Sequence, residues 1–301
     1  MSKLELYVIA GPTASGKTGA AIALAKEIGG EVVSCDSMQI YQGMDILSAK
    51  PTLQEQDGVV HHLLSVLPPS EKCSAARFRD MAIPIIEDIA RRGKQPILCG
   101  GTGLYIDAVT KPMGFALEGD DNLRATLMQE NPLVLHERLA AIDPPTAARL
   151  HPNDVRRVVR ALEVHALTGK TMTQIAEEDA KKEAPYAVKM FALDWQRDVL
   201  YNRIDRRVDI MLECGLIKEV SALMKDDAEH PTALQALGYK EILSALRGEI
   251  SMEQAIDQVK QGSRNYAKRQ LTWFRRDARI QWLEAEKRTA QQLVSAMLAY
   301  H

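Results

Sequence analysis

The sequence predicts an α/β fold: a parallel sheet flanked by helices, with a helical insertion. Three observations predict it. Short apolar runs alternate with amphipathic stretches in β-α-β-α-β order up to about residue 99, an order that implies right-handed crossovers. Strand-like runs then stop, and only Ala187–Asp194 resumes the pattern. The first apolar run also leads straight into a glycine-rich loop and a helix, the usual setting of a phosphate-binding turn.

The elements follow in order. Leu4–Ala10 reads as a buried strand. Residues 11–18, GPTASGKT, fit G-x-x-x-x-G-K-[ST]: Gly11, Pro12, Thr13, Ala14, Ser15, Gly16, Lys17 and Thr18. Backbone N–H groups of such a loop wrap a phosphate, the lysine adds positive charge, and the Thr18 hydroxyl can ligate Mg²⁺. Residues 19–28 are Ala-rich and stop at Gly29-Gly30, as a helix does at a glycine C-cap, so the helix dipole favours an anion at the loop. The chain is thus P-loop NTPase-like at its start, and it binds a di- or triphosphate. Residues 31–36 read as a second strand ending in Asp36, and residues 37–51 as polar turns. Residues 74–92 form an amphipathic helix blemished by Pro84, and residues 95–99 a strand that enters Gly100-Gly101-Thr102-Gly103.

Residues 1–113 are therefore read as the first part of the core and 114–185 as a helical insertion. Residues 186–301 continue the core with C-terminal basic helices. After the strand at 187–194 the remainder reads as helical, over 198–212, 216–226, 236–247 and about 251–276.

Bulk properties narrow the class. The 301 residues are 46% hydrophobic, which suffices for a sizeable core, and the net charge of −2 means a polyanion must meet local basic patches. The four cysteines lack C-x-x-C spacing, which argues against structural zinc or a disulfide scaffold and for a reducing compartment. With no signal-peptide pattern or membrane-length apolar run, a cytoplasmic protein is expected, and a monomer is the default.

Asp36 opens the run Asp36-Ser37-Met38-Gln39, whose carboxylate, hydroxyl and amide suit a nucleobase edge. A strand-end acid also serves as a helix or turn cap, and both readings stand. Thr102 places a hydroxyl where a leaving-group oxygen could sit; a plain βα turn needing positive φ explains the same glycines. Between Lys260 and Arg279 stand seven basic residues and one acid, with Tyr266, Trp273 and Phe274 interleaved. Cations with aromatic faces form an RNA-binding composition, although an amphipathic helix with core aromatics has it too. Arg149, Arg156, Arg157 and Arg160 form a second basic cluster, and His61-His62, without other ligand spacing, reads as structural.

Ten blocks in order carry a resemblance, among them GPTASGKT (11–18), DSMQIYQGMDI (36–46), HHLL (61–64), GGTGLYI (100–106), HPNDVRRVVRALEV (151–164), LYNRIDRRVDIML (200–212), ALGYKEI (236–242) and YAKRQLTWFRR (266–276). The chain resembles the tRNA dimethylallyltransferases. That resemblance implies transfer of a dimethylallyl group from its diphosphate to the exocyclic amine of the adenosine just 3′ of the anticodon. The loop at 11–18 then holds the donor's diphosphate, with Mg²⁺ as cofactor and Thr18 as its ligand. Asp36 would be the base, Thr102 would contact the bridging oxygen, and Arg207 would neutralise the departing diphosphate. Asp36, Ser37, Met38, Gln39, Thr102, Arg124, Arg156, Arg157, Val158, Val159, Arg160, Lys240, Lys268, Arg269, Gln270 and Arg275 fall on positions that touch tRNA in the family. The chain departs from the family at Ser65, where Asp is frequent, and at Leu47-Ser48, where Gly-Thr is frequent.

Two other readings share the loop. A small-molecule kinase would use it for ATP but leaves the basic–aromatic helix unexplained. An NTP-gated RNA-binding module would need a switch acid and no Asp36/Thr102/Arg207 set.

Overall fold

The computed structural model describes residues 3–114, 119–225 and 235–300. The chain runs β1 (Glu5–Ala10), α1 (Lys17–Ile28), β2 (Gly30–Ser34), α2 (Leu53–Gln56), β3 (His61–His62), α3 (Ala75–Arg91), β4 (Gln95–Gly100) and α4 (Gly103–Thr110). Five helices follow: α5 (Asp121–Leu127), α6 (Pro132–Ile142), α7 (Pro144–Arg149), α8 (Val155–Thr168) and α9 (Met172–Ala180). The chain then returns to β5 (Ala187–Asp194), α10 (Arg197–Glu213), α11 (Leu216–Lys225), α12 (Tyr239–Leu246), α13 (Met252–Phe274), β6 (Ile280–Glu284) and α14 (Ala290–Leu298).

It divides into two compact units. The first comprises residues 1–73, 78–106 and 186–301, and the second 74–77 and 107–185. The first unit is a six-stranded sheet in the order β3-β2-β4-β1-β5-β6. Every pairing is parallel, as between Ala10 and Gly100 or Ala10 and Ala192. The strands of its middle are apolar throughout because both faces are covered. On one face, Ile9, Val32, Ile97 and Phe191 pack with Ala21 and Leu24 of α1 and with Val294 and Met297 of α14. Central β1 has β4 on one side and β5 on the other, although the chain reaches β2 first. That reversal opens a crevice at the carboxyl end of β1, where open α/β sheets bind ligands.

The second unit is all-helical. Its core joins Leu127, Leu135, Leu139, Val158, Val159 and Leu162. Inside it, Asp143 accepts hydrogen bonds from Thr146 and Thr173, which hold its carboxyl below the ordinary range against the opposing pull of burial.

One expectation is corrected. The C-terminal remainder is not wholly helical: β6 adds an edge strand on β5, with Met190 opposite Ile280 and Asp194 opposite Glu284. Its five residues, IQWLE, are too few for a periodic signal to stand out. The basic stretch that ends at Phe274 is followed by this strand and by α14, which carries a threonine capping box. His61-His62 also forms a short strand. The helix expected over 74–92 does run from Ala75 to Arg91, and Pro84 lies within it. Two expectations fall partly outside the described residues: the end of the helix at Asp226, and the start of the insertion at 115–118. Among the described residues no helix is long and apolar enough to cross a membrane.

A buried carboxylate ties the sheet edge. Glu31 is almost wholly inaccessible, and accepts from Arg92 at 2.6 and 2.7 Å, Lys94 at 2.7 Å and His62 at 2.8 Å. The Arg92 hydrogen bonds, with those of Lys94 and His62, outweigh desolvation and hold this carboxyl far below the carboxylate range. A depressed acid contributes stability above its unfolded pKa, roughly 4.3, and loses it as pH falls toward the folded value. Glu31→Ala is expected to cost about 2 kcal/mol near neutrality in denaturant unfolding, since Arg92, Lys94 and His62 retain partial access to water. Its deficit should shrink steadily below about pH 5.

Candidate active site

The loop at 11–16 leaves β1 at Gly11 and enters α1 through Gly16. Ala14 takes a positive φ of 61°, a conformation costly for a residue with a Cβ unless neighbours enforce it. They do. The Ala14 carbonyl accepts from Arg203 Nε at 2.9 Å, and the Ser15 carbonyl from Trp195 Nε1 at 2.9 Å. The Arg203 guanidinium lies 4.1 Å from the centre of the Trp195 ring. Lys17 Nζ donates to the Pro12 carbonyl at 3.2 Å, folding its side chain back over the loop.

A third anchor comes from α13. Gln270 Oε1 accepts from Thr13 N–H at 2.9 Å, and Gln270 Nε2 donates to the Gly101 carbonyl at 2.9 Å. One buried carboxamide thus ties the phosphate loop to the turn after β4. The glycines of that turn are needed for this approach and not for positive φ, which none of Gly100, Gly101 and Gly103 adopts. A Cβ on Gly101 would lie 2.2 Å from Gln270 Nε2, and one on Gly103 2.3 Å from the Trp273 ring. Gln270 is buried, with both ends of its amide engaged, and so clamps the loop to this turn.

Asp36 lies just past β2. Its Oδ1 accepts from Met38 N–H at 2.9 Å and Gln39 N–H at 3.3 Å, so the capping role is real, and one carboxylate oxygen is oriented by it. Thr102 accepts from Ser37 N–H at 3.0 Å. Arg207 donates to the Ala49 carbonyl at 3.1 Å, and Gln39 Nε2 donates to the same carbonyl at 3.3 Å. The loop carrying Ala49 is held by Glu219, which accepts from the N–H groups of Asp45, Ile46 and Leu47. Lys50 adds bonds to Tyr41 O and to Ser65 Oγ at 2.6 Å, which gives the divergent Ser65 a structural partner.

Lys17, Thr18, Asp36, Gln39, His61 and Cys99 line one cleft. Its electrostatics suit an anion. Burial lowers the pKa of Lys17 and of Arg207, and each is pulled back up in part by the charge of Asp36. Two cations held in a poorly solvated site gain most when a phosphate arrives. Burial pushes the Cys99 thiol up to about 12, so it is no thiolate nucleophile. The Tyr266 phenol is raised by burial and then by Asp36, and stays neutral.

A divalent cation fits this donor set. The hydroxyl of Thr18 and the carboxylate of Asp36 line the cleft with His61, and among the described residues no group of three or more His, Cys, Asp or Glu forms a protein-only cage. That is the pattern of a cation carried chiefly by substrate phosphates.

The structure brings Lys17, Thr18, Asp36 and Gln39 to one cleft. It hydrogen-bonds Thr102 to the Asp36 turn and sets Arg207 within the electrostatic reach of Asp36. On α13, Lys268 and Arg269 are exposed, as are Arg275 and Arg276 just beyond it and Lys240 on α12. Lys260 and Arg264, by contrast, are paired with Asp209 and Asp205 of α10, and Arg279 with Asp277. Phe274 is core and Trp273 half-exposed against Gly103. In the helical unit, Arg156 and Arg157 are exposed, while Arg124 and Arg160 share the buried Glu163 at 3.0 and 2.5 Å. Val158 and Val159 are core residues of α8.

Sequence reasoning missed Trp195 and Arg203. Both carried a signal. Arg203 stands four residues before Arg207 on one helix face, and Trp195 directly follows a strand end. Gln270→Ala is expected to raise the donor's KM about tenfold, while tRNA affinity in filter binding stays within about twofold, because only the loop loses its clamp.

The sequence matches the family described as IPP transferase over residues 39–277, and that described as isopentenyl transferase over residues 4–71. It is 47% identical to the tRNA dimethylallyltransferase of Halalkalibacterium halodurans, covering 94% of this chain and 91% of that one. Identity to the enzyme of the same name from Geobacter metallireducens is 46%, over 99% and 98% of the two chains. Among solved structures, a tRNA isopentenylpyrophosphate transferase from Bacillus halodurans superposes with a TM-score of 0.75 at 44% identity, covering 98% of this chain and 95% of that one. A eukaryotic dimethylallyltransferase acting on tRNA superposes with a TM-score of 0.82 at 32% identity, over 94% of this chain and 74% of that one.

Proposed function

The chain belongs to the tRNA dimethylallyltransferases, enzymes that transfer a prenyl group to tRNA, and on that premise we propose how its cleft performs the transfer. The donor is dimethylallyl diphosphate, and the acceptor is the exocyclic amine of the adenosine 3′ to the anticodon. The observation that carries the assignment is the joining of an anion-binding loop to a carboxylate in one cleft, Lys17 and Thr18 beside Asp36.

Residues 11–18 hold the diphosphate on backbone N–H groups and Lys17. A divalent cation, Mg²⁺, held by Thr18 and the phosphates, supplies further neutralisation of the leaving group. The allylic carbon–oxygen bond breaks as the amine nitrogen bonds that carbon. The electron pair leaves with the diphosphate, and one amine proton passes to Asp36. Thr102 accepts from Ser37 N–H through one lone pair, which orients the hydroxyl so that its hydrogen can meet the bridging oxygen. Arg207, buried and permanently cationic, faces the charge that develops. The adenine leaves its stack to reach this cleft, as base-modifying enzymes require.

The tRNA backbone meets exposed cations: Lys268, Arg269, Arg275 and Lys240 on the sheet unit, and Arg156 and Arg157 on the helical unit, with Arg124 and Arg160 held by Glu163. Ser37, Met38 and Gln39 face the base. The protein works as a monomer in the cytoplasm, where its substrate resides.

The deciding assay uses prenyl-labelled dimethylallyl diphosphate and, in parallel, γ-labelled ATP with unmodified tRNA. Prenyl label is expected in tRNA and none from ATP; the reverse would replace this reading with a kinase. Asp36→Asn is expected to lower kcat about 10²- to 10⁴-fold with tRNA affinity nearly unchanged. Lys268→Ala with Arg269→Ala should weaken tRNA binding and lower the slope of log K against log salt by about 1 to 2; an unaltered slope would remove this helix from the interface.

A further inference from the structure

Among the described residues, three buried side-chain polar atoms have no partner: Ser15 Oγ, His61 Nε2 and His165 Nδ1. Only His61 lines the cleft with Lys17, Thr18 and Asp36. Its other ring nitrogen settles the chemistry. Nδ1 lies 2.9 Å from the Val59 carbonyl, an atom that only accepts, so Nδ1 carries the hydrogen. Nε2 of the neutral ring is then a lone-pair acceptor, shut away from bulk water and met by no protein donor. An unmet buried acceptor is costly, about 1–3 kcal/mol, unless the occupant of the cleft supplies a hydrogen.

His61 is opposite Val32 in the parallel register of β3 on β2. Val32 and Cys99 belong to the face of the sheet covered by α1, the helix whose first turn carries Lys17 and Thr18. That is the loop-and-cation side of the cleft. The amine acceptor instead belongs beside the turn made by Asp36, Ser37 and Thr102. With the Lys17 ammonium committed to the Pro12 carbonyl and to the diphosphate, the hydrogen donors left on the α1 side are waters of a divalent cation held by Thr18 and the diphosphate. Such cations keep several of their waters, and acceptors around them orient that shell.

We propose that His61 is a positioning residue for the hydrated divalent cation of the diphosphate site, accepting through Nε2 from the cation's water shell. The proposal rests on the assignment of residues 11–18 to a diphosphate. It concerns a residue that its ligand spacing left as structural, and it gives the unpaired nitrogen a function.

Two substitutions separate the ring's two roles. In His61→Asn the amide N–H replaces Nδ1 at the Val59 carbonyl, and no acceptor remains at the Nε2 position. In His61→Gln the longer side chain returns an amide oxygen toward that position. The readout is Mn²⁺ affinity, followed by the loss of the free-ion electron paramagnetic resonance signal, with inorganic diphosphate saturating and no tRNA present. His61→Asn is expected to weaken Mn²⁺ about 10- to 100-fold, and His61→Gln to recover most of that loss. Diphosphate affinity measured without metal, and the thermal midpoint, should match wild type in both variants. Equal Mn²⁺ affinity in His61→Asn and wild type overturns the proposal, as does a loss of metal-free diphosphate binding, which would place Nε2 on the anion. A wild-type protein that holds no Mn²⁺ with diphosphate overturns instead the assignment of the loop.

Discussion

A phosphate-binding loop must turn its N–H groups inward to the anion, which leaves carbonyls that need partners elsewhere. This chain meets that constraint with two side chains distant in sequence: Trp195 and Arg203 take the carbonyls of Ser15 and Ala14, while Gln270 accepts from the Thr13 N–H and donates to the Gly101 carbonyl. The strained φ of Ala14 persists because these bonds define it from both sides. The order of the sheet follows from the same requirement, since α10 and α13 must return to the carboxyl end of β1 after the helical unit. Ala14, Leu200, Ile204 and Ala267 form the small apolar cluster that seats them there.

The cleft is arranged for leaving-group chemistry rather than for activating water or a covalent nucleophile. Its one thiol, Cys99, is driven toward the neutral form. Its cations, Lys17 and Arg207, are buried enough to prefer an anionic partner, and Asp36 is near enough to sustain their charge. A loop common to kinases thus serves a prenyl donor, because what it recognises is diphosphate and not the group attached to it. The difference in reaction comes from what stands opposite: a carboxylate fixed by an Asx-type turn and the hydroxyl of Thr102 held by Ser37 N–H.

Charge on the helices is divided between scaffold and surface in a way composition does not display. Lys260 and Arg264 fasten α13 to α10 through Asp209 and Asp205, while Lys268 and Arg269, further along α13, are exposed. In the helical unit, Glu163 gathers Arg124 and Arg160 into one network, and the neighbouring Val158 and Val159 are core. Cations of one helix thus meet acids at some turns and solvent at others, so a count of basic residues overstates the binding surface.

What the sequence determined by itself was local or carried by pattern. The loop at 11–18, the buried runs of β1, β2, β4 and β5, the helices and the parallel class are legible because propensity, periodicity and glycine caps act within a dozen residues. Asp36 and Thr102 were legible as strand-end residues for the same reason. Only the tertiary structure decided which long-range partners complete the site. Gln270 reads in sequence as one more polar residue of a basic helix, yet it lies 257 positions from the Thr13 N–H that it accepts. The glycines after β4 read as a turn, yet their role is to admit Gln270 and Trp273. The edge strand β6 is too short for periodicity to reveal and exists through its pairing with β5. Hydrogen bonds and steric fit between residues far apart in the chain depend on how elements pack, and no window of sequence contains that information.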